Sequence, residues 1–293
     1  MKQQETLLIT GASGFLGSNL VRECLTNNYR VLAYKRQNTN LWRLRDIAEK
    51  VVWFDVDELD KPFSQFKINH VIHCATCYGR NDEKSSEIVV ANMLLPLQLF
   101  ELADAYKVTT FFNADTVLDA NTNTYALSKS QFNSWLKQAS TPLRIVNLKL
   151  QHFYGPGASR DNFITNIICQ FLAKVPEINL TLGEQQRDFI YITDVVAAFI
   201  CLLSHVDQLA SGYNNFEVGS GTMLAVRELI EFLAKLTCAK TKLNFGALAY
   251  RKNELMQTKA DISKLTALGW RPKYSLQQGL ALTLAANNKG ETI

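Results

Sequence analysis

Two local patterns in this sequence could do chemistry. Tyr125 and Lys129 stand four residues apart in Tyr125-Ala126-Leu127-Ser128-Lys129. On a helix, residues i and i+4 share a face, so this spacing brings an ammonium beside a phenol. A tyrosine with its ordinary pKa of about 10 is a poor proton carrier at neutral pH. A neighbouring cation favours the phenolate and moves the group toward the working range. The second pattern is Gly11-Ala12-Ser13-Gly14-Phe15-Leu16-Gly17, which directly follows an apolar run. Its glycines allow a tight turn and close backbone approach to a pyrophosphate. A helix starting there offers that anion N–H donors and the positive end of its dipole.

These patterns need a scaffold, and the first half of the chain supplies one. Thr6–Thr10, Arg30–Tyr34, Val51–Phe54, His70–Cys74, Thr110–Asn113 and Leu143–Leu150 read as nearly continuous apolar strands. Such strands are expected when helices cover both faces of a sheet. Amphipathic segments lie between them, among them 17–27, 88–106 and 125–139. Six β-α alternations predict an α/β fold, a doubly wound parallel (Rossmann) sheet. Past Gly155 the pattern loosens into pieces punctuated by Gly, Pro and Asn. We therefore expect a dinucleotide-binding domain over 1–155, with 190–210 packing back onto it, and a smaller substrate lobe over 156–293.

Bulk properties exclude other classes. The 293 residues carry a net charge of +4, with no Lys/Arg run suited to nucleic acid. No run of about 18 consecutive apolar residues and no signal-like N-terminus is present, so a cytoplasmic protein without membrane attachment is expected. Six cysteines fall mostly in apolar stretches, as buried thiols of a reducing compartment do. Cys74 and Cys77 form a C-x-x-C, but two further zinc ligands at suitable spacing are absent, so no metal is expected.

The glycine spacing G-x-x-G-x-x-G, followed by Y-x-x-x-K, resembles the short-chain dehydrogenase/reductase superfamily in its extended form. The resemblance runs from Thr6 to Pro272. It implies a nicotinamide dinucleotide held by Gly11, Gly14, Phe15, Leu16 and Gly17, by Ala75 and Thr76, and by Tyr125 and Lys129. An acidic residue ending the second strand would bind a ribose 2′-hydroxyl, whereas a basic one favours a 2′-phosphate. Here that strand ends Tyr34-Lys35-Arg36, which favours NADP(H), with NAD(H) as the other possibility. Asp55-Val56 resembles the family's adenine-contacting pair. The family also needs a Ser or Thr hydroxyl to orient the substrate oxygen, and Thr116 is assigned to it. Thr116 lies only nine residues before Tyr125, a shorter loop than relatives usually have. Asp115 either faces the site or caps the turn.

In the second half, Lys149–Gly157 resembles the segment leading into the family's substrate lobe. His152 stands where most relatives carry Asn. Asn162 and Phe163 follow where relatives hold a nucleotide diphosphate. Arg187, in Arg187-Asp188-Phe189-Ile190-Tyr191-Ile192-Thr193-Asp194-Val195, is expected to pair with that diphosphate, because a guanidinium fork matches phosphate oxygens. Arg251 is expected as a second contact, and Thr76, Tyr78 and Thr116 as further substrate contacts. Several segments look like the CDP-abequose synthase group of 4-ketoreductases, notably Cys74–Gly79, the short loop after Thr116, Leu148–His152 and Gly183–Asp188. That likeness implies NADPH-dependent reduction of the C4 ketone of a CDP- or dTDP-linked 4-keto-6-deoxy or 3,6-dideoxy hexose, for cell-surface polysaccharide sugars. A C4 epimerase retaining NAD is the alternative. A 4,6-dehydratase would require an Asp-Glu pair where Val117-Leu118 stand. A non-catalytic dinucleotide sensor would not need both Tyr125 and Lys129. Relatives usually form dimers through the helices expected at 88–106 and 125–139, so a homodimer is expected.

Overall fold

The computed structural model describes residues 4–288. The elements begin β1 (Thr6–Thr10), α1 (Phe15–Thr26), β2 (Arg30–Lys35), β3 (Val52–Asp55), α2 (Lys61–Gln65) and β4 (His70–His73). Next come α3 (Ser85–Val89), a π-helical turn (Val90–Leu94), α4 (Leu95–Ala105), β5 (Thr110–Thr116), α5 (Thr124–Gln138) and β6 (Arg144–Leu150). Then follow β7 (His152–Tyr154), α6 (Phe163–Leu172), β8 (Glu177–Leu180), β9 (Gln186–Arg187), β10 (Phe189–Tyr191) and α7 (Ile192–Ser204). The chain finishes with β11 (Gly212–Val218), β12 (Leu224–Ala225), α8 (Val226–Leu236), β13 (Lys242–Phe245), α9 (Ser263–Ala267) and α10 (Leu276–Asn288).

The chain divides into two compact units. The first runs to Lys149 and includes Val196–Phe216; the second comprises Leu150–Val195 and the residues from Glu217 on. The main sheet has seven strands in the order β11-β6-β5-β4-β1-β2-β3, and β1 pairs in parallel with both β2 and β4. Every residue of β1 is buried, which is why the sequence runs apolar there rather than alternating. Leu8 lies opposite Leu32 on one side and Val71 on the other, at the centre of the core. The expected doubly wound sheet is therefore present, with one strand more than the six expected. The additional β11 is rich in Asn and Tyr and buries few side chains beyond Phe216 and Val218, so it lacks the apolar run that marked the others.

Ser85–Ala105 bears on the membrane expectation. It is long and apolar enough on average to cross a membrane, although its apolar residues are not consecutive. Its buried residues, among them Ile88, Leu99, Phe100 and Ala103, belong to the core of the first unit, while Val90 and Leu94 are exposed.

The second unit carries three two-stranded sheets, β10-β7, β12-β9 and β13-β8. Two carboxylates tie its backbone together. Asp188, fully buried, accepts from the N–H groups of Ser220 (2.6 Å), Gly221 (3.0 Å) and Ala260 (3.2 Å). A Cβ on Gly219 would come within 2.4 Å of its Oδ2, so glycine is required there. Asp194 accepts from the backbone of Lys273 (2.9 Å) and Tyr274 (3.0 Å). The acids of the Arg187–Val195 motif thus pin loops.

Candidate active site

The turn between β1 and α1 is shaped by its glycines. Gly11 sits at φ +66, and a Cβ there would meet Ala75 N at 2.6 Å. A Cβ on Gly17 would meet Gly11 O at 2.1 Å, whereas one on Gly14 finds only Gly11 O, at 3.1 Å. Gly14 caps α1 without any side-chain bond, and the first turn of α1 holds no acid. The helix end is thus left to an anion, and the cradle fits a dinucleotide pyrophosphate. Phe15 and Leu16 open α1. Lys35 ends β2 opposite Asp55, Arg36 follows, and Val56 N–H donates to Lys35 O at 3.2 Å. Arg43, which sequence reasoning missed, donates from Nη1 to Ser13 O of the glycine turn at 3.3 Å. Its guanidinium lies 4.3 Å from the Trp42 ring centroid.

Tyr125 and Lys129 lie in the first turns of α5, whose N-cap Asn123 accepts from Ala126 N–H at 2.8 Å. Thr116, at the end of β5, lies close enough to the Tyr125 phenol to favour its ionised form, so the shortened loop still brings the two hydroxyls together. Burial pushes the Tyr125 phenol above its ordinary range. The sequence expectation was the reverse, that Lys129 would pull it down. Lys129 instead turns toward β5, donating to Asn113 Oδ1 at 3.5 Å, and burial lowers its own pKa. The Tyr78 ring stacks against Tyr125 with centroids 4.8 Å apart, and the Arg80 guanidinium lies 4.7 Å from the Tyr78 ring. Asp115, left open between two roles, turns inward: it accepts from Thr116 N–H at 2.8 Å and from Asn147 Nδ2 at 3.0 Å.

Asn92, buried in the π-helical turn, was also missed. Its Oδ1 accepts from Thr76 Oγ1 (3.1 Å) and Cys77 N–H (2.7 Å). Its Nδ2 donates to Cys77 O (2.8 Å) and Ser128 Oγ (3.0 Å). One amide therefore fixes the segment bearing Ala75, Thr76 and Tyr78 to the helix bearing Tyr125. Extra residues in π turns often serve such sites, but a single Asn gives no periodic signal.

In the second unit, Arg187 is buried and ion-paired with Glu254, and its Nη1 donates to Gln186 O at 2.9 Å. The glutamate was not foreseen. Arg251 is exposed and close enough to repel Arg187 electrostatically. The His152 ring packs edge-on against Phe189, and its Nδ1 is enclosed without a hydrogen-bond partner. Burial, then the Arg187 charge, lower the His152 pKa to about 4, so the imidazole is neutral at physiological pH. Asn162 caps α6, accepting from Ile164 N–H at 3.2 Å, while Phe163 is exposed.

Comparison with known proteins places this arrangement. The profile of the "NAD dependent epimerase/dehydratase family" matches residues 7–219. The chain belongs to that family. It is accordingly an NAD(P)-dependent oxidoreductase of the extended short-chain type. It is 32% identical over 289 residues to CDP-abequose synthase of Salmonella muenchen, covering 95% of this chain and 97% of that one. The corresponding protein of Salmonella typhimurium is 29% identical over 295 residues, covering 94% and 96%. Among solved structures, UDP-glucose 4-epimerase of Thermotoga maritima, determined with UDP-glucose, superposes with a TM-score of 0.84 at 22% identity. That match covers 97% of this chain and 99% of the other.

Proposed function

We propose that this enzyme uses NADPH to reduce the C4 ketone of a CDP- or dTDP-linked 4-keto-6-deoxy or 3,6-dideoxy hexose, a step toward cell-surface polysaccharide sugars. The observation carrying this reading is the Thr116–Tyr125 hydroxyl pair beside buried Lys129, with Val117 and Leu118 following Thr116. Those apolar side chains cannot move the protons a dehydration needs. The 32% identity to CDP-abequose synthase supports the substrate class.

When bound, the nicotinamide supplies hydride to C4. The cradle of Gly11, Gly14 and Gly17 would hold its pyrophosphate, and Lys129 its ribose. Thr116 donates to the ketone oxygen, and Tyr125 gives its phenolic proton to the alkoxide as it forms. A phenol kept protonated by burial suits that direction, because reduction begins from the neutral acid. The resulting phenolate regains its proton from solvent. Lys35, Arg36 and Arg43 supply the positive charge that a ribose 2′-phosphate would require, which supports NADPH over NADH. Arg187 and Arg251 take the sugar diphosphate. His152, neutral and with an enclosed nitrogen, is a hydrogen-bonding contact for the sugar. Leu127 and Trp135 of α5, together with Val90 and Leu94, leave an exposed apolar face that suits a homodimer. Both substrates are water-soluble, which supports a cytoplasmic location.

Purified protein mixed with NADPH or NADH and each 4-keto donor tests this reading by nicotinamide absorbance. Stoichiometric consumption of NADPH is expected. No consumption, with NAD retained on the purified protein, would establish the C4 epimerase instead.

A further inference from the structure

A row of buried polar side chains crosses the main sheet at the carboxyl ends of its strands. Thr10 lies in register with His73, and His73 with Asn113. Thr10 Oγ1 and His73 Nδ1 are 2.9 Å apart. Beyond them, Lys129 Nζ donates to Asn113 Oδ1 (3.5 Å), Asn113 Nδ2 to Asn147 Oδ1 (2.7 Å), and Asn147 Nδ2 to Asp115 Oδ2 (3.0 Å). Asn147 Nδ2 also reaches Asn215 Oδ1 at 3.0 Å. Asn113 and Asn147 are 0% exposed, Lys129 1% and Asp115 5%.

Strands packed in an apolar core gain nothing from such a row, since buried amides and charges cost free energy unless fully satisfied. The end groups explain its form. A carboxylate can only accept and an ammonium can only donate. Asn147 must therefore turn its amino group to Asp115, and Asn113 its carbonyl to Lys129. The two amide dipoles align head to tail, and each polarises the next. Negative charge at Asp115 is thereby felt at the oxygen that touches Lys129.

The other groups facing Lys129 cannot serve as its counter-charge. From β4, His73 is held neutral by burial and by Lys129 itself. Cys74, just after β4, is pushed up to about 12 by burial, so its thiol keeps its proton. Tyr125, on the same helix, is likewise kept as a phenol. From β5 come Asn113, which is neutral, and Asp115. Facing Asp115 are Lys129, Tyr125, and Tyr213 of β11, whose phenol burial pushes up to about 12 and which donates to Asn133 Oδ1 at 2.6 Å.

We propose that Asp115 is the remote counter-ion of Lys129 and a positioning residue of the site. Its charge, relayed through Asn147 and Asn113, holds a buried ammonium in its charged form while, among the described residues, one of its N–H donors is committed to protein. Its other oxygen fixes the Thr116 N–H. The proposal rests on the reading of Lys129 as the working ammonium. Direct contact with a carboxylate would occupy the donors that a cofactor ribose needs, and a relay of amides avoids this.

Protein labelled with ¹³Cε-lysine, titrated by NMR without any sugar, tests the relay; the resonance missing from K129M belongs to Lys129. The isosteric D115N is expected to lower the Lys129 midpoint by at least one pH unit. The alkaline loss of NADPH affinity, read by fluorescence, should move down with it. N147L keeps both charges but cuts the chain, and a smaller downward shift is expected. An unchanged midpoint overturns the proposal, in D115N or, should that variant not fold, in N147L alone. Failure of the wild type to oxidise NADPH would strike the functional reading separately, because the titration requires no substrate.

Discussion

Lys129 and Arg187 are both buried cations, each neutralised differently by its unit of the molecule. Arg187 touches its anion, Glu254, directly. Lys129 touches only an amide, and two amides separate it from Asp115. A direct pair can be exchanged: an incoming phosphate can replace the carboxylate on a guanidinium fork that never loses its charge. An ammonium can lose its charge when buried, so it needs a counter-ion that stays in place and does not use up its donors. On the proposed function, the difference separates a group that binds and releases an anion from one that must remain charged throughout a reaction.

The largest expected effect is at the hydroxyl pair. Y125F removes the proton donor and should lower kcat roughly 10³-fold, within the range for loss of general acid catalysis, while NADPH affinity stays nearly unchanged. Equal losses in kcat and affinity would mean that Tyr125 binds rather than reacts. The Arg187 side of the comparison should respond in KM. R187M is expected to raise the sugar-nucleotide KM about tenfold to a hundredfold, the worth of charged hydrogen bonds, with kcat changing far less. E254Q removes the competing anion and should lower KM, which steady-state kinetics will show. An increase in KM would make Glu254 a ligand-orienting partner and end the exchange picture.

His152 extends the test to pH. Its pKa is about 4 in the folded protein against an ordinary value of 6.5, so the fold disfavours the imidazolium. The stability it contributes is complete above about pH 6.5 and is lost as pH falls toward 4, by at most about 3 kcal/mol. Denaturant melts of H152Q should show a shallower acid loss than wild type across that window; parallel curves would show that His152 is not enclosed. The smallest effect is expected at the cofactor end. R43Q should weaken NADPH about tenfold, as loss of one charged hydrogen bond does, and leave NADH unchanged. Equal weakening of both would reassign Arg43 to holding the glycine turn.

What could be read in the sequence follows from how local each signal is. The glycine turn and the Tyr125–Lys129 pair each lie within a single loop or helix, where spacing alone dictates geometry. Thr116 is assigned despite its short loop because the family resemblance calls for a hydroxyl just after the fifth strand, predicted to end at Asn113, and β5 extends to Thr116. Asn113, Asn147 and Asn215 lie on three strands, and only the order β11-β6-β5 makes them neighbours. In sequence Asn113 and Asn147 read as isolated polar residues in apolar strands, and Asn215 lies in a polar stretch with no strand signal. Arg43 lies in a single 3-10 turn, Trp42–Leu44, and Glu254 in a loop, each too short to carry a periodicity that would mark which way it faces. The direction of the Tyr125 shift was misjudged because i, i+4 spacing fixes the helix face and not where a long lysine side chain ends. Strand register sends Lys129 to Asn113 instead.

Deuterium tracing tests the central claim most directly. NADPH carrying deuterium at the nicotinamide C4 should be consumed with a CDP- or dTDP-linked 4-keto-6-deoxy sugar, and the product should carry one deuterium at sugar C4 by mass spectrometry and NMR. A C4-hydroxy product without deuterium, formed while NADPH is unconsumed, would contradict the reductase assignment.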